Sequence, residues 1–247
     1  MKTATRRVGL SRCRHLAGAG FLMVALLAPP DAVAQSGQAA PDFTGVYDLV
    51  ADGTAIPGGL RNDGSPEVLD LLPAAAAVAT SRDLSLDTAK DCHVIGPFRM
   101  LAHEGTRIDI LPSLNTGRLI MLFEDHMLGH WREILLDRTH DSALEPSWMG
   151  DSVGRFEGDT LVVETVSFND YIWLNSAGAP HSDALRLTER YRLVGGGEYL
   201  ELRMTAEDPG VLRQPYTYTR YYRRSQREMQ EFVCMDGLLD EAIPAIR

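Results

Sequence analysis

Two histidines in long loops and one glutamate on an apolar strand face are the residues best suited to acid–base chemistry. His140 and His181 each lie in a polar loop that ends beside a strand. In Leu185–Val194, alternation places Glu189 on the face that carries leucine and tyrosine, where a carboxylate is costly unless it is paired. The pattern predicts His140 or His181 as general base or acid, with Glu189 as its partner or as a second acid.

The same loops carry aromatic side chains that could line a binding pocket. Trp148 and Trp173 lie in the two loops, and Tyr218 lies in a later strand. Such side chains suit an apolar or aromatic ligand. Asp151 ends the first loop and could orient one of the histidines. We therefore predict substrate binding by these four residues.

Strand parity predicts a second pair of inward charges. Glu124 shares its strand face with Ile120 and Leu122, and Arg132 shares its face with Ile134. Glu124 and Arg132 flank a short loop and could pair. One interpretation is a structural ion pair that closes an end of the fold; the other is an anchor for a polar ligand. Each loop histidine has a structural alternative too, because its ring could cap the loop by hydrogen bonds.

Metal and cofactor signatures are weak or missing. His126 and His130 have a spacing that would suit two ligands on a helix, but they fall in a predicted turn, and Cys92-His93 is equally weak. The sequence contains no G-x-S-x-G elbow, no phosphate-binding loop and no G-x-G-x-x-G after a strand. We expect neither a metal nor a cofactor.

The elements that must position these residues are mostly short strands separated by turn residues. One helix is predicted after Ser65, ending near Ala79, with Pro73 able to delay its start. Residues 92–99 are predicted to be a loop. The pattern indicates a mainly β protein: a single antiparallel barrel, lipocalin-like, with one N-terminal helix and long loops over one mouth. The predicted strands are a short one at 45–50, then 107–111, 118–124, 130–137, 152–157, 160–168, 185–194, 199–207, 216–224 and 230–236.

The first 34 residues have the composition of a secretory signal peptide. A basic start precedes a short apolar run and an Ala-x-Ala site at Ala32–Ala34, so we expect cleavage near Ala34 and a periplasmic or secreted protein. We divide the rest into an extension, 35–100, and a barrel domain, 101–247, which together form one unit. The pairing of Cys92 with Cys234 and the choice of export route stay open.

Charge excludes one large class of function. The chain has 24 basic and 34 acidic residues, a net charge of −10; without the leader the numbers are 19 and 33, a net charge of −14. An acidic protein of this kind is a poor nucleic-acid binder, since phosphate contacts need a basic face. The leader's apolar run is too short to span a membrane, so no stable insertion is expected.

One stretch has a specific resemblance. Residues 146–165, Pro-Ser-Trp-Met-Gly-Asp-Ser-Val-Gly-Arg-Phe-Glu-Gly-Asp-Thr-Leu-Val-Val-Glu-Thr, are similar to a motif of a group of secreted bacterial proteins. Glu124, Arg132 and His140 also match this group, whereas Phe156 replaces its usual tryptophan and Asn175 its usual aspartate. The resemblance covers about residues 85–220. It implies export and a lipocalin-like barrel, and it brings no reaction.

Three functions remain as hypotheses. The first is a cofactor-independent lyase, isomerase or cyclase that acts on a small, largely apolar or aromatic molecule. The second is a periplasmic binding protein with the same pocket and no chemistry. The third is an envelope interaction protein whose barrel is a scaffold, which an interior filled with side chains would favour. The oligomeric state is open.

Overall fold

A computed structural model describes residues 41–91, 93–113, 117–124 and 129–230. Nine strands form a closed barrel in sequence order, which confirms the predicted mainly β barrel. The signal peptide, the cysteine pair, His126 and the predicted strand residues 231–236 lie outside the described residues. The strands are β1 (Gly45–Leu49), β2 (Arg107–Ser113), β3 (Arg118–Glu124), β4 (Gly129–Leu136), β5 (Asp151–Glu157), β6 (Thr160–Val166), β7 (Arg186–Val194), β8 (Tyr199–Glu207) and β9 (Tyr216–Arg224).

Two short helices interrupt the long segment between β1 and β2. Helix α1 (Pro73–Ser81) starts at Pro73, so the proline delays the predicted helix. Helix α2 (Gly96–Met100) corrects the predicted loop at 92–99. Five residues carry too little periodicity to reveal a helix, and all five are buried, so packing specifies α2 rather than local propensity.

One junction departs from the antiparallel pattern, and it matters for the site. Every neighbouring pair is antiparallel except β4 and β5, which run parallel and pair only at Leu135 with Val153 and at Leu136 with Gly154. Gly154 permits the approach, because an added Cβ would lie 2.8 Å from Ile134 Cγ2. The connection at 137–150 must run back along the strands, since both strands point the same way. Beyond the two paired positions, β4 and β5 separate.

Large side chains fill the barrel interior. Tyr218 donates a hydrogen bond to the carbonyl of Phe98 at 2.7 Å, and Tyr222 donates one to the carbonyl of Leu101 at 2.5 Å. These bonds fix α2 to β9, with the Phe98 and Tyr218 rings 5.4 Å apart. Interior side chains that are at most 1% exposed include Tyr47, Tyr191, Tyr218, Tyr222, Phe98 and Met100.

Candidate functional site

A buried ion pair joins two strands that are not neighbours. Arg132 of β4 donates from Nη1 to Glu189 Oε1 of β7 at 2.8 Å, and its Nη2 donates to Glu189 Oε2. Tyr191 donates its hydroxyl to the same Oε2 at 2.5 Å. The side chains of Arg132 and Glu189 are 2% and 0% exposed. Parity thus correctly placed both charges inside.

The pair perturbs the two groups that face Glu189. Burial raises the pKa of Tyr191 well above its usual value, and the Glu189 charge adds to the shift. Burial opposes the charged form of Arg132, but attraction to Glu189 more than offsets it and raises the pKa of the guanidinium. Both Glu189 oxygens are therefore occupied, and neither loop histidine is a hydrogen-bond partner of this carboxylate.

His140 is held between two carboxylates at the outer side of the barrel. Its Nδ1 lies 2.8 Å from Asp151 Oδ2, and its Nε2 lies 3.1 Å from Glu164 Oε1. Glu164 also pairs with Arg186. Partial burial favours the protonated Glu164 carboxyl, yet the Arg186 and His140 contacts outweigh this and lower its pKa. With an acceptor at each ring nitrogen, His140 fastens the loop to β5 and β6.

His181 is fixed in the same way by main-chain carbonyls. Its Nδ1 lies 3.1 Å from the oxygen of Ser182, and its Nε2 lies 2.9 Å from the oxygen of Asn169. The Phe168 ring meets the imidazole edge-on at 6.3 Å. Both ring nitrogens are thus engaged within the 169–183 loop. The structure does not bring His140, His181 and Glu189 together as one hydrogen-bonded constellation.

The two predicted tryptophans have different surroundings. Trp148 is half-buried in an aromatic stack, 5.7 Å from the ring of His93 and 5.4 Å from that of Tyr171. Trp173 is buried, with the guanidinium of Arg82 4.9 Å from its ring centre. Of the two, only Trp148 lines the cleft described below.

Two predicted site residues have other places in the fold. The inward orientation of Glu124 is wrong: Leu119, Met121 and Phe123 fill the interior face of β3, while Glu124 binds Arg107 at 2.7 Å. Two apolar faces compete on this strand, and parity cannot choose between them. Tyr218 does face the interior, but it is fully buried against α2 rather than exposed to a pocket.

An open cleft lies where β4 and β5 separate. Its volume is about 410 Å³, within the range of small-molecule sites. One wall is the upper part of β4, and the opposite wall is the start of β5 with the returning loop. The lining includes the predicted residues Arg132, Trp148 and Asp151, and also His130, Trp131, Glu133, Leu135, Leu144, Ser147, Met149, Gly150 and Ser152.

Exposed apolar side chains give the cleft its character. Trp131 is 55% exposed and Leu144 is 49% exposed, which is unusual for side chains of this size. Sequence analysis missed Trp131, although its position was readable: it lies on the outward face of β4 together with Glu133. A tryptophan on a solvent face indicates a contact surface.

The charges that line the cleft are paired. Glu133 accepts from Arg118 Nη1 at 2.9 and 3.0 Å. Asp151 holds His140, and Arg132 holds Glu189. Burial lowers the pKa of His130, which favours its neutral form. The cleft therefore presents apolar surface with little uncompensated charge.

Two searches over the described residues complete the inventory. Within them, no three His, Cys, Asp or Glu side chains are placed to hold a metal ion. In the same ranges no helix is both long and apolar enough to cross a bilayer.

Comparisons find similar solved structures only at low identity. No family model matches the chain, and no curated protein matches it. The fatty-acid-binding protein 1 of Echinococcus granulosus is similar with a TM-score of 0.38 and 11% identity, over 74% of this chain and 96% of that chain. The Schistosoma mansoni fatty acid binding protein in complex with arachidonic acid gives 0.39 and 12%, over 74% and 96%. Secretory abundant heat soluble protein 4 from Ramazzottius varieornatus gives 0.35 and 13%, over 76% and 99%.

Proposed function

We propose that this chain is a binding protein for a small, flat, largely apolar molecule, which lies in the cleft between β4 and β5. The observation that carries the proposal is a cleft of about 410 Å³ whose rim holds the exposed ring of Trp131 and the stacked ring of Trp148. Aromatic walls in a concave site favour planar ligands, since they bury large area with few conformations lost.

The geometry supports binding better than acid–base turnover. A general acid or base needs a free atom within hydrogen-bond reach of the substrate. The two nitrogens of His140 face Asp151 and Glu164, and the two nitrogens of His181 face main-chain carbonyls. Glu189 already binds Arg132 and Tyr191. Each candidate catalytic group therefore has a structural task.

A fluorescence titration tests the proposal. N-phenyl-1-naphthylamine is neutral and aromatic, and its emission rises in apolar surroundings. We expect saturable binding of one molecule per chain, and we expect Trp131→Ala to weaken it by about tenfold, the effect of roughly 1.4 kcal/mol of lost contact. Leu86→Ala is the matched control, because Leu86 is 66% exposed and does not line the cleft.

The result separates the remaining hypotheses. Equal affinity in the Trp131→Ala and Leu86→Ala variants would contradict the cleft as the binding site. Recovery of the probe unchanged after long incubation is expected of a binding protein. Conversion of the probe that persists in Trp131→Ala but is lost in Glu189→Gln would instead support the enzyme hypothesis.

A further inference from the structure

The wall of the cleft formed by β4 is a strand edge. In the described residues, Gly129–Ile134 pairs with β3 on one side, while β5 pairs only with Leu135 and Leu136 on the other. Strand edges recruit groups that imitate a neighbouring strand, because each unpaired N–H and C=O retains its hydrogen-bonding capacity.

The register identifies which main-chain groups point toward the cleft. Leu136 donates its N–H to the carbonyl of Gly117 at 2.8 Å, and Asp137 donates its N–H to the carbonyl of Gly154 at 2.8 Å. Even-numbered residues of β4 therefore bond to β3, and odd-numbered residues point toward β5. Trp131 and Glu133 are odd-numbered and line the cleft, and within the described residues neither N–H has a main-chain partner.

We infer that the natural ligand combines a flat apolar group with a secondary amide, and that the amide pairs with the main-chain N–H and C=O groups of Trp131 and Glu133. The inference rests on the proposed function and adds the chemical class of the ligand. The apolar group lies between Trp131 and Trp148. The amide satisfies one donor and one acceptor, as one more strand residue would do.

The charge pattern favours a neutral ligand. Glu133 is paired with Arg118, Asp151 with His140 and Arg132 with Glu189. A carboxylate ligand would find no unpaired cation among the described lining residues and would lie near Glu133 and Asp151. Taking its charge out of water would therefore not be offset.

Three matched compounds test the inference in the full-length protein. N-methyl-2-naphthamide and methyl 2-naphthoate have nearly the same shape, and only the amide has an N–H. We expect the amide to bind about tenfold more tightly, as a buried carbonyl left without its donor costs roughly 1–3 kcal/mol. 2-Naphthoate should bind more weakly than either compound.

Hydrogen exchange provides a second readout that needs no substitution in β4. N-methyl-2-naphthamide should slow exchange of the Trp131 and Glu133 amides, while the Arg132 and Ile134 amides, which face β3, should be protected already. Equal affinity for the amide and the ester, without protection at 131 and 133, would overturn the inference and leave the proposed function intact. Failure of all three compounds and of N-phenyl-1-naphthylamine to bind would contradict the proposed function itself.

Discussion

Arg132 and Glu189 form an ion pair across the barrel, between strands that two other strands separate in the sheet. The pair is the main polar feature of an otherwise apolar interior, and Tyr191 completes it. Because one face of Arg132's strand also borders the cleft, the pair holds the β4 wall against the opposite side of the barrel. Its role is structural support for the site.

The first prediction concerns the stability of this pair. Glu189→Gln leaves the Arg132 charge buried without its counter-charge, and we expect a loss of about 3–5 kcal/mol in the free energy of unfolding. The double variant Arg132→Met with Glu189→Leu buries no charge and should lose less than the two single variants combined. Urea denaturation measures all four proteins. A loss below about 1 kcal/mol in Glu189→Gln would show that the pair contributes little.

The second prediction concerns pH and His130. Burial lowers its pKa in the folded chain below the ordinary 6.5, so the unfolded chain binds more protons just below that pH. Stability from neutral His130 is complete above pH 6.5 and is lost as the pH falls through the folded pKa. The difference in unfolding free energy between the wild type and His130→Gln should therefore be more favourable to the wild type at pH 7.5 than at pH 5. A difference that does not vary with pH would contradict this.

The third prediction separates the loop histidine from the cleft. His181→Ala removes two hydrogen bonds to main-chain carbonyls, at about 0.5–1.5 kcal/mol each. We expect a lower midpoint in urea and an unchanged affinity for N-phenyl-1-naphthylamine, since His181 does not line the cleft. Tenfold weaker binding in a folded His181→Ala protein would require a site that includes this loop.

The fourth prediction concerns the filled interior. Tyr218→Phe leaves the carbonyl of Phe98 without its donor and should destabilise the fold by about 1–3 kcal/mol. Binding in the cleft should not change, because Tyr218 is buried in the core. We also expect cis-parinaric acid, a fluorescent fatty acid, to show no binding that Tyr218→Phe alters and Trp131→Ala does not. Such binding would point to an interior ligand.

Alternation along strands predicted much of the fold and part of the site. The bounds of β3, β8 and β9, and the inward positions of Arg132 and Glu189, follow directly from it. Glu124 was misplaced because β3 is apolar on both faces, so only the register with Arg107 on β2 reveals which side is outside.

The cleft could not be predicted from sequence, because it results from tertiary pairing. The sequence gives no sign that β4 and β5 run parallel and meet at two positions only. The same pairing brings Trp131 of β4 near Trp148 of the returning loop, although 16 intervening residues separate them. Helix α2 escaped prediction for a related reason, since burial in the barrel rather than local sequence specifies it.

The most direct test of the binding site uses the three tryptophans as reporters. In a 15N-labelled protein, the indole N–H signals of Trp131, Trp148 and Trp173 are assigned by single substitution to phenylalanine. Titration with N-methyl-2-naphthamide should shift the signals of Trp131 and Trp148, which line the cleft, and leave that of Trp173, which packs against Arg82, unchanged. A shift confined to Trp173, or no indole shift at saturating ligand, would contradict binding in the cleft between β4 and β5.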